Sequence, residues 1–183
     1  LFDIQIKTNY IEPFIRIFNS SFSGFNNLNL KGAINTDSKT LKFNATVPFV
    51  QWQDMAFKGG VFTGNGNKDS LYLLVKANSY QITDSFSFVD PIINIHTKND
   101  KSNIQITATS NNALQNINLS GTVNTYSDGL AIKWKPSYFL LNQKRWDINN
   151  GGEISLRKNN VFAKDVKFSQ GIQELLLTSA KDN

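Results

Sequence analysis

Side chains that alternate apolar and polar residue by residue leave a chain few choices, because only an extended strand puts every second residue on the same face. The alternation is cleanest between Leu130 and Phe168. Leu130, Ile132 and Trp134 fall on one face against Ala131, Lys133 and Lys135, and after a break at Pro136 the pattern resumes with Trp146 and Ile148. A turn at Asn149-Asn150-Gly151-Gly152 then leads to Ile154 and Leu156, set against Ser155 and Arg157. The stretch reads as a meander of hairpins with one greasy face and one wet face.

The rest of the chain follows the same period. Phe2 to Lys7 is strand-like; Leu28, Leu30 and Ile34 precede the turn residues Asn35-Thr36-Asp37-Ser38; and Leu41, Phe43, Ala45 and Val47 alternate with Lys42, Asn44 and Thr46. Leu71, Leu73, Val75 and Ala77, then Phe86 and Phe88, then Ile93 and Ile95, then Ile104, Ile106 and Ala108 continue it, with turns at Asn99-Asp100-Lys101-Ser102 and Asn111-Asn112. The glycine-rich tip from Gly64 to Asp69 lacks the Gly-Lys-Ser/Thr ending of a phosphate loop and the carboxylates of a calcium loop, so it reads as a hairpin turn. Ile11, Phe14, Ile15 and Phe18 stand at helical spacing with Pro13 in a first-turn position, which predicts one short helix near residues 10–19. Its apolar stripe is expected to plug the end of the β core, with a place on a membrane surface as the alternative. Short echoes, such as Leu30-Lys31-Gly32-Ala33-Ile34-Asn35-Thr36 and Leu119-Ser120-Gly121-Thr122-Val123-Asn124-Thr125, point to hairpins added serially along a sheet.

Composition narrows the functions. Cysteine is absent, which removes disulfides, thiolate nucleophiles and cysteine-based zinc sites, and the single histidine, His96, has no second histidine for a metal pair or a proton relay. No nucleophile, base and oxyanion donor can be nominated together, so neither an enzyme nor a metal or other cofactor is expected. The net charge of +5 gathers Lys and Arg toward the last third, and Lys144, Arg145, Arg157 and Lys158 are candidates for contact with anionic headgroups or an acidic partner. Nucleic acid is not expected, since neither an RNA-binding aromatic signature nor zinc-finger spacing accompanies the charge. There is no apolar run long enough to span a membrane, and the chain opens on a strand with no signal-peptide pattern, so a mature segment or excised piece is expected.

Over Leu119 to Ser179 the order Gly121, Leu130-x-Ile132-x-Trp134, Pro136-Ser137-x-Phe139, Trp146-x-Ile148, a glycine turn, Ile154-x-Leu156, then Val166-Lys167-Phe168-Ser169-Gln170-Gly171 with Gln173-x-Leu175 resembles the repeat of TamB-like proteins of the AsmA-like superfamily, especially those of the Bacteroidetes. About a third of the chain carries the likeness. The resemblance implies an all-β fold, an elongated, curled antiparallel sheet of serial hairpins forming a taco-like trough with a hydrophobic groove. It also implies that residues 1–183 are a single β-rich segment of a much longer periplasmic protein of a Gram-negative bacterium, anchored in the inner membrane. The function implied is bridge-like transport of phospholipid between the two membranes, or assistance in outer-membrane assembly, with an outer-membrane barrel of the Omp85 superfamily (TamA-like) as partner.

From alternation alone roughly twelve to fourteen strands are expected, paired serially into an open sheet about 60 Å long. The face carrying Phe43, Leu73, Val75, Ile104, Ile106, Ile132, Trp134, Ile154, Leu156 and Phe168 is the expected lining of the lipid groove. Alternation fits a closed sandwich core equally well, and a secreted or cell-surface β-sandwich binding carbohydrate or protein is the alternative function, with Trp52, Trp134 or Trp146 as its contact residues.

Overall fold

The computed structural model describes residues 1–99, 101–110, 113–149, 151–158 and 160–179. Seventeen antiparallel strands form one large curled sheet. Strand β1 (Phe2–Lys7) is followed by the short helix α1 (Glu12–Phe18), β2 (Phe22–Gly24), β3 (Asn29–Asn35) and a long hairpin of β4 (Thr40–Trp52) and β5 (Met55–Gly66). Next come β6 (Ser70–Lys76), β7 (Ser79–Thr83), β8 (Phe86–Lys98), β9 (Lys101–Thr109) and β10 (Leu114–Tyr126). The last third is cut shorter, into β11 (Gly129–Trp134), β12 (Ser137–Leu141), β13 (Lys144–Ile148), β14 (Glu153–Arg157), β15 (Asn160–Lys164), β16 (Val166–Gln170) and β17 (Gln173–Leu177). The predicted turns at Asn35 and Gly64 to Asp69 are present, whereas the expected turn at Asn111-Asn112, Asp100 of the turn beginning at Asn99, and Asn150 of the glycine turn lie outside the described residues.

The strand count exceeds expectation because five rungs of the sheet are two half-strands laid end to end. Strand β4 is long enough to carry β3 along its first half, from Asn35↔Thr40 to Asn29↔Thr46, and β2 along its second, at Phe22↔Trp52. Likewise β5 and β8 each span both β6 and β7, and β10 spans both β11 and β12. Then β14 follows β11 and β13 follows β12, β15 follows β14 and β16 follows β13. Strand β17 pairs with β16, and the Ser179 amide continues that rung by donating to the Ala163 carbonyl at 2.8 Å. Counted this way the sheet has twelve rungs, and at about 4.8 Å per step it is roughly 50 Å long. We call the half holding β3, β6, β11, β14 and β15 the upper half, and the other the lower half.

A crease runs between the halves, where strands break or bulge. Three of the four prolines lie on it, Pro48, Pro91 and Pro136, because a residue without an N–H cannot sit in the middle of a ladder. Between them the chain takes left-handed turns at Phe25 (φ 58°), Gly59 (φ 64°), Asp90 (φ 47°), Asn116 (φ 40°) and Asp165 (φ 51°), the conformation of an extra bulge residue, which asparagine, aspartate and glycine adopt most readily. Backbone groups at the crease stay paired: Phe25 N–H donates to Phe49 O (2.9 Å), Asn78 N–H to Lys58 O (3.0 Å), Asp90 N–H to Asn78 O (3.0 Å) and Trp134 N–H to Gly152 O (2.8 Å). Beside Pro136, the Ser137 hydroxyl accepts from Ser120 N–H at 2.8 Å and donates to Lys135 O at 2.8 Å. Many of the buried side chains on or near this line are small, Val47, Ala77, Ser110, Ser137 and Val166 among them.

The helix corrects one expectation. It forms inside the predicted range, yet it plugs nothing: no residue of α1 is buried, and Phe14, Ile17 and Phe18 are exposed. Its position is where the lower half of the first rung would lie, against β2, so it covers a strand edge rather than the end of a core.

Gly24 tests the crease. At φ 98°, a Cβ on this residue would lie 2.4 Å from the Phe49 carbonyl oxygen, the acceptor of the Phe25 amide, whereas Gly171 at φ 58° has nothing within 4 Å. Gly24→Ala is expected to lower unfolding free energy by about 2 kcal/mol or more and Gly171→Ala by only about 1 kcal/mol. Urea midpoints with unchanged m-values measure the difference, and equal losses would mean that close approach at the crease does not matter.

Candidate functional site

Register fixes which side chains share a face, since directly paired residues point the same way. One row runs Phe43, Gly64, Leu73, Ile95, Ile104, Gly121, Trp134 across successive strands. A second runs Phe62, Val75, Ile93, Ile106, Leu119, and a third joins Val123, Ile132, Ile154 and Ala163. Leu156 pairs with Leu130 and Val161 at the upper rim. Nine of the ten predicted groove residues therefore stand on one face of the upper half. The tenth, Phe168, is in the lower half and meets the others across the crease.

That face is the inside of the curl, because side chains from the two halves converge over the crease. The Phe57 and Phe62 rings lie 5.7 Å apart, one from each half. Leu119, Trp134 and Ile154 of the upper half and Phe139, Ile148 and Phe168 of the lower half line a common apolar cavity of about 290 Å³. The indole N–H of Trp134 is buried there with no hydrogen-bond partner among the described residues.

The lower half adds residues that alternation alone did not join to the groove. Trp52 pairs with Phe22 and Met55, Val50 with Phe57, Phe57 with Tyr80, and Tyr80 with Phe88, so these aromatics continue the inner face. Trp146, opposite Phe139, belongs to it as well. Gly64 gives the Phe43 ring its room; Gly32 also sits opposite Phe43, and Gly121 sits opposite Trp134. A Cβ at Gly64 would lie 2.1 Å from the Phe43 ring. The echoed Leu-x-Gly segments beginning at Leu30 and Leu119 thus share a register, each setting its glycine opposite an aromatic residue of the next strand.

The inner face is open. Buried hydrophobic residues are Ala45, Val47, Ala56, Ala77, Ala108, Ala131, Ile148 and Val166, so no leucine, phenylalanine or tryptophan is buried among the described residues. Total accessible surface is 12128 Å², roughly a third more than the ~8,900 Å² of a compact monomer of this mass. Among the described residues no second sheet covers the apolar rows, in contrast to the sandwich that alternation also allowed. The outer face is polar, with side-chain pairs Asn44 to Thr63 (3.1 Å), Tyr72 to Asn94 (3.0 Å) and Lys135 to Asn103 (2.7 Å), and His96 is exposed on it.

The four basic residues singled out in the sequence do not form one patch. Lys144 and Arg145 stand at the lower rim, at the start of β13, while Arg157 and Lys158 stand at the upper rim, at the end of β14. Both arginines are engaged. Arg145 bonds Asp147 at 2.8 Å and lies 4.1 Å over the Tyr138 ring, and the hydrogen bond to Asp147 raises its pKa above an already high value. Arg157 bonds Asp128 and lies 4.1 Å over the Tyr126 ring, tying the β14–β15 turn to the β10–β11 turn. Lys144 and Lys158 are exposed. Among the described residues there is no cluster of three or more metal-ligating side chains, and no helix is long and apolar enough to cross a membrane.

Comparisons of the chain with protein-family models, with curated proteins and with solved structures found no match.

Since Arg157 joins the two turns through its side chain and Lys158 only through its backbone amide, which donates to Asp128 O at 3.0 Å, Arg157→Glu is expected to reduce unfolding free energy by about 1 kcal/mol or more, setting a like charge against Asp128, and Lys158→Glu to stay within ~0.5 kcal/mol. Chemical denaturation of the two variants decides this, and equal effects would show that the Arg157 contacts contribute nothing.

Proposed function

We propose that the chain is a segment of a TamB-like, bridge-like lipid transport protein of the bacterial periplasm, whose groove carries phospholipid acyl chains between the inner and outer membranes or in support of outer-membrane assembly. The observation that carries this reading is that the large apolar side chains of a continuous inner face, Phe43, Leu73, Ile104, Ile106, Ile132 and Trp134 among them, are only half-buried, while the buried positions hold mostly alanine and valine. Apolar area left in water costs about 25 cal/mol per Å², and a hydrocarbon tail lying along Phe43, Leu73, Ile104 and Trp134 removes that cost without asking for a shaped pocket or a polar anchor. A headgroup then stays at the open mouth in water. The work is non-enzymatic and needs no cofactor. An outer-membrane barrel of the Omp85 superfamily is the partner proposed to receive the lipid, and an inner-membrane anchor elsewhere in the full protein would place the segment in the periplasm. Both rest on the resemblance of Leu119 to Ser179.

A photo-crosslinker at Ile106 or Ile132, on the inner face, is expected to capture phospholipid in cells, and one at the neighbouring outer residues Gln105 or Lys133 is not. Ile106→Asp sets a carboxylate against any passing tail, a desolvation cost of at least ~2 kcal/mol, and should slow transfer more than tenfold in a variant that keeps its strand circular dichroism. Equal labelling of both faces, or none on either, would reject the groove and favour a binding module.

A further inference from the structure

We infer that the corner formed by α1 and the β4–β5 tip is a bilayer-contacting port, where acyl chains pass between a membrane and the groove; this rests on the groove reading above. The orientation of α1 is the first observation. A helix packed on a protein normally turns its apolar stripe inward, and here half of the stripe faces out, Phe14 57% exposed and Phe18 76%, with Ile17 beside them at 76%. Polar bonds hold the helix in this pose. The Asn26 Oδ1 accepts from the Ile11 and Glu12 amides at 2.8 and 3.1 Å, and the Glu12 carboxylate turns toward the sheet, accepting from Gly24 N–H at 3.2 Å and pairing with Arg16 at 3.1 Å. Ile11 and Ile15 are half-buried behind it.

The second observation is what surrounds the outward face. Tyr10 is 76% exposed, and Trp52 is 43% exposed at the hairpin tip, so the apolar patch carries the two residue types that settle at the boundary between headgroups and hydrocarbon. The third is continuity with the groove. Trp52 stacks on Phe22 with ring centroids 6.0 Å apart, and Trp52 pairs with Met55 on the inner face, so a tail leaving the bilayer at this corner reaches the groove without crossing water. A second copy is a poorer occupant. At roughly 200 Å² per large side chain, the five exposures amount to about 650 Å², short of the ~800 Å² per partner of a stable interface. Hydrocarbon needs no shape-matched surface.

The chain has no cysteine, so a single introduced thiol labels one position. The 183-residue chain carrying Ile17→Cys, labelled with a polarity-sensitive fluorophore and mixed with neutral phosphatidylcholine vesicles containing brominated acyl chains, is expected to show a blue shift and quenching. The same label at Ser38→Cys, on the opposite rim, shows neither. The double variant Ile17→Asp, Phe18→Asp should lose at least tenfold in vesicle binding while still taking up a monomeric, short-chain fluorescent phospholipid. Equal quenching at both labels, none at residue 17, or a dimer by light scattering that the double variant disperses would each overturn the port. Failure of the wild-type chain to take up the short-chain lipid would instead reject the groove, independently of the vesicle result.

Discussion

A hydrogen-bonded ladder has to carry a chain whose interior holds so little. Among the described residues Val166 is the one large side chain that is fully buried, and the rest of the core is mainly alanine, so burial of whole side chains at ~1.5–3 kcal/mol each supplies less here than in an ordinary domain of this length. Pairing between rungs supplies the rest, together with the partial shielding that neighbouring inner-face side chains give one another. The crease depends on this: the sheet bends there only because carbonyls and amides on both sides keep partners, as at Phe25 to Phe49 and Ser137 to Ser120. Everything functional is built on that bend, since it turns one face of a sheet into an inside.

Alternation made the strands, their faces and the short helix legible, and all ten groove candidates do share one interior face. What it hid was the lower half. At each bulge, kink or strand break along the crease the stride becomes odd, and an odd stride reverses the phase of everything after it. Inner positions step from Val47 to Val50, from Ala77 to Tyr80, from Leu114 to Ile117, from Trp134 to Ser137 and from Ala163 to Val166, an odd stride every time. A reader holding one period across these points assigns the aromatic half to the wrong side or to no side. The signals were present as Pro48, Pro91 and Pro136 and as asparagine and aspartate within strand-like runs, but each looks like an ordinary turn until its neighbours on adjacent strands are known.

Charge was less legible than hydrophobicity for a related reason. Lys144, Arg145, Arg157 and Lys158 are close in sequence, and proximity in a hairpin meander suggests a cluster. A rung that crosses the whole sheet between Lys144 and Arg157 sends them to opposite rims instead, where Arg157 fastens two turns through Asp128 and Arg145 pairs with Asp147 along its own strand. The stripe of α1 shows the converse: its spacing specifies the helix, while its orientation is set by Asn26 and Glu12, polar residues whose partners lie at a distance in sequence.

Because each rung touches only the rungs beside it, the fold behaves as a nearly one-dimensional array rather than as a single cooperative globule. In the 183-residue segment taken by itself, loss of order then spreads inward from the outer rungs, where β1 is exposed at all six positions and β17 at all five, and the cost of opening rises toward the middle of the sheet. Amide exchange would trace that gradient as a ramp along the chain. The middle rungs around β8 to β10 are the last to open, and their apolar rows are consequently the most persistent stretch of the groove.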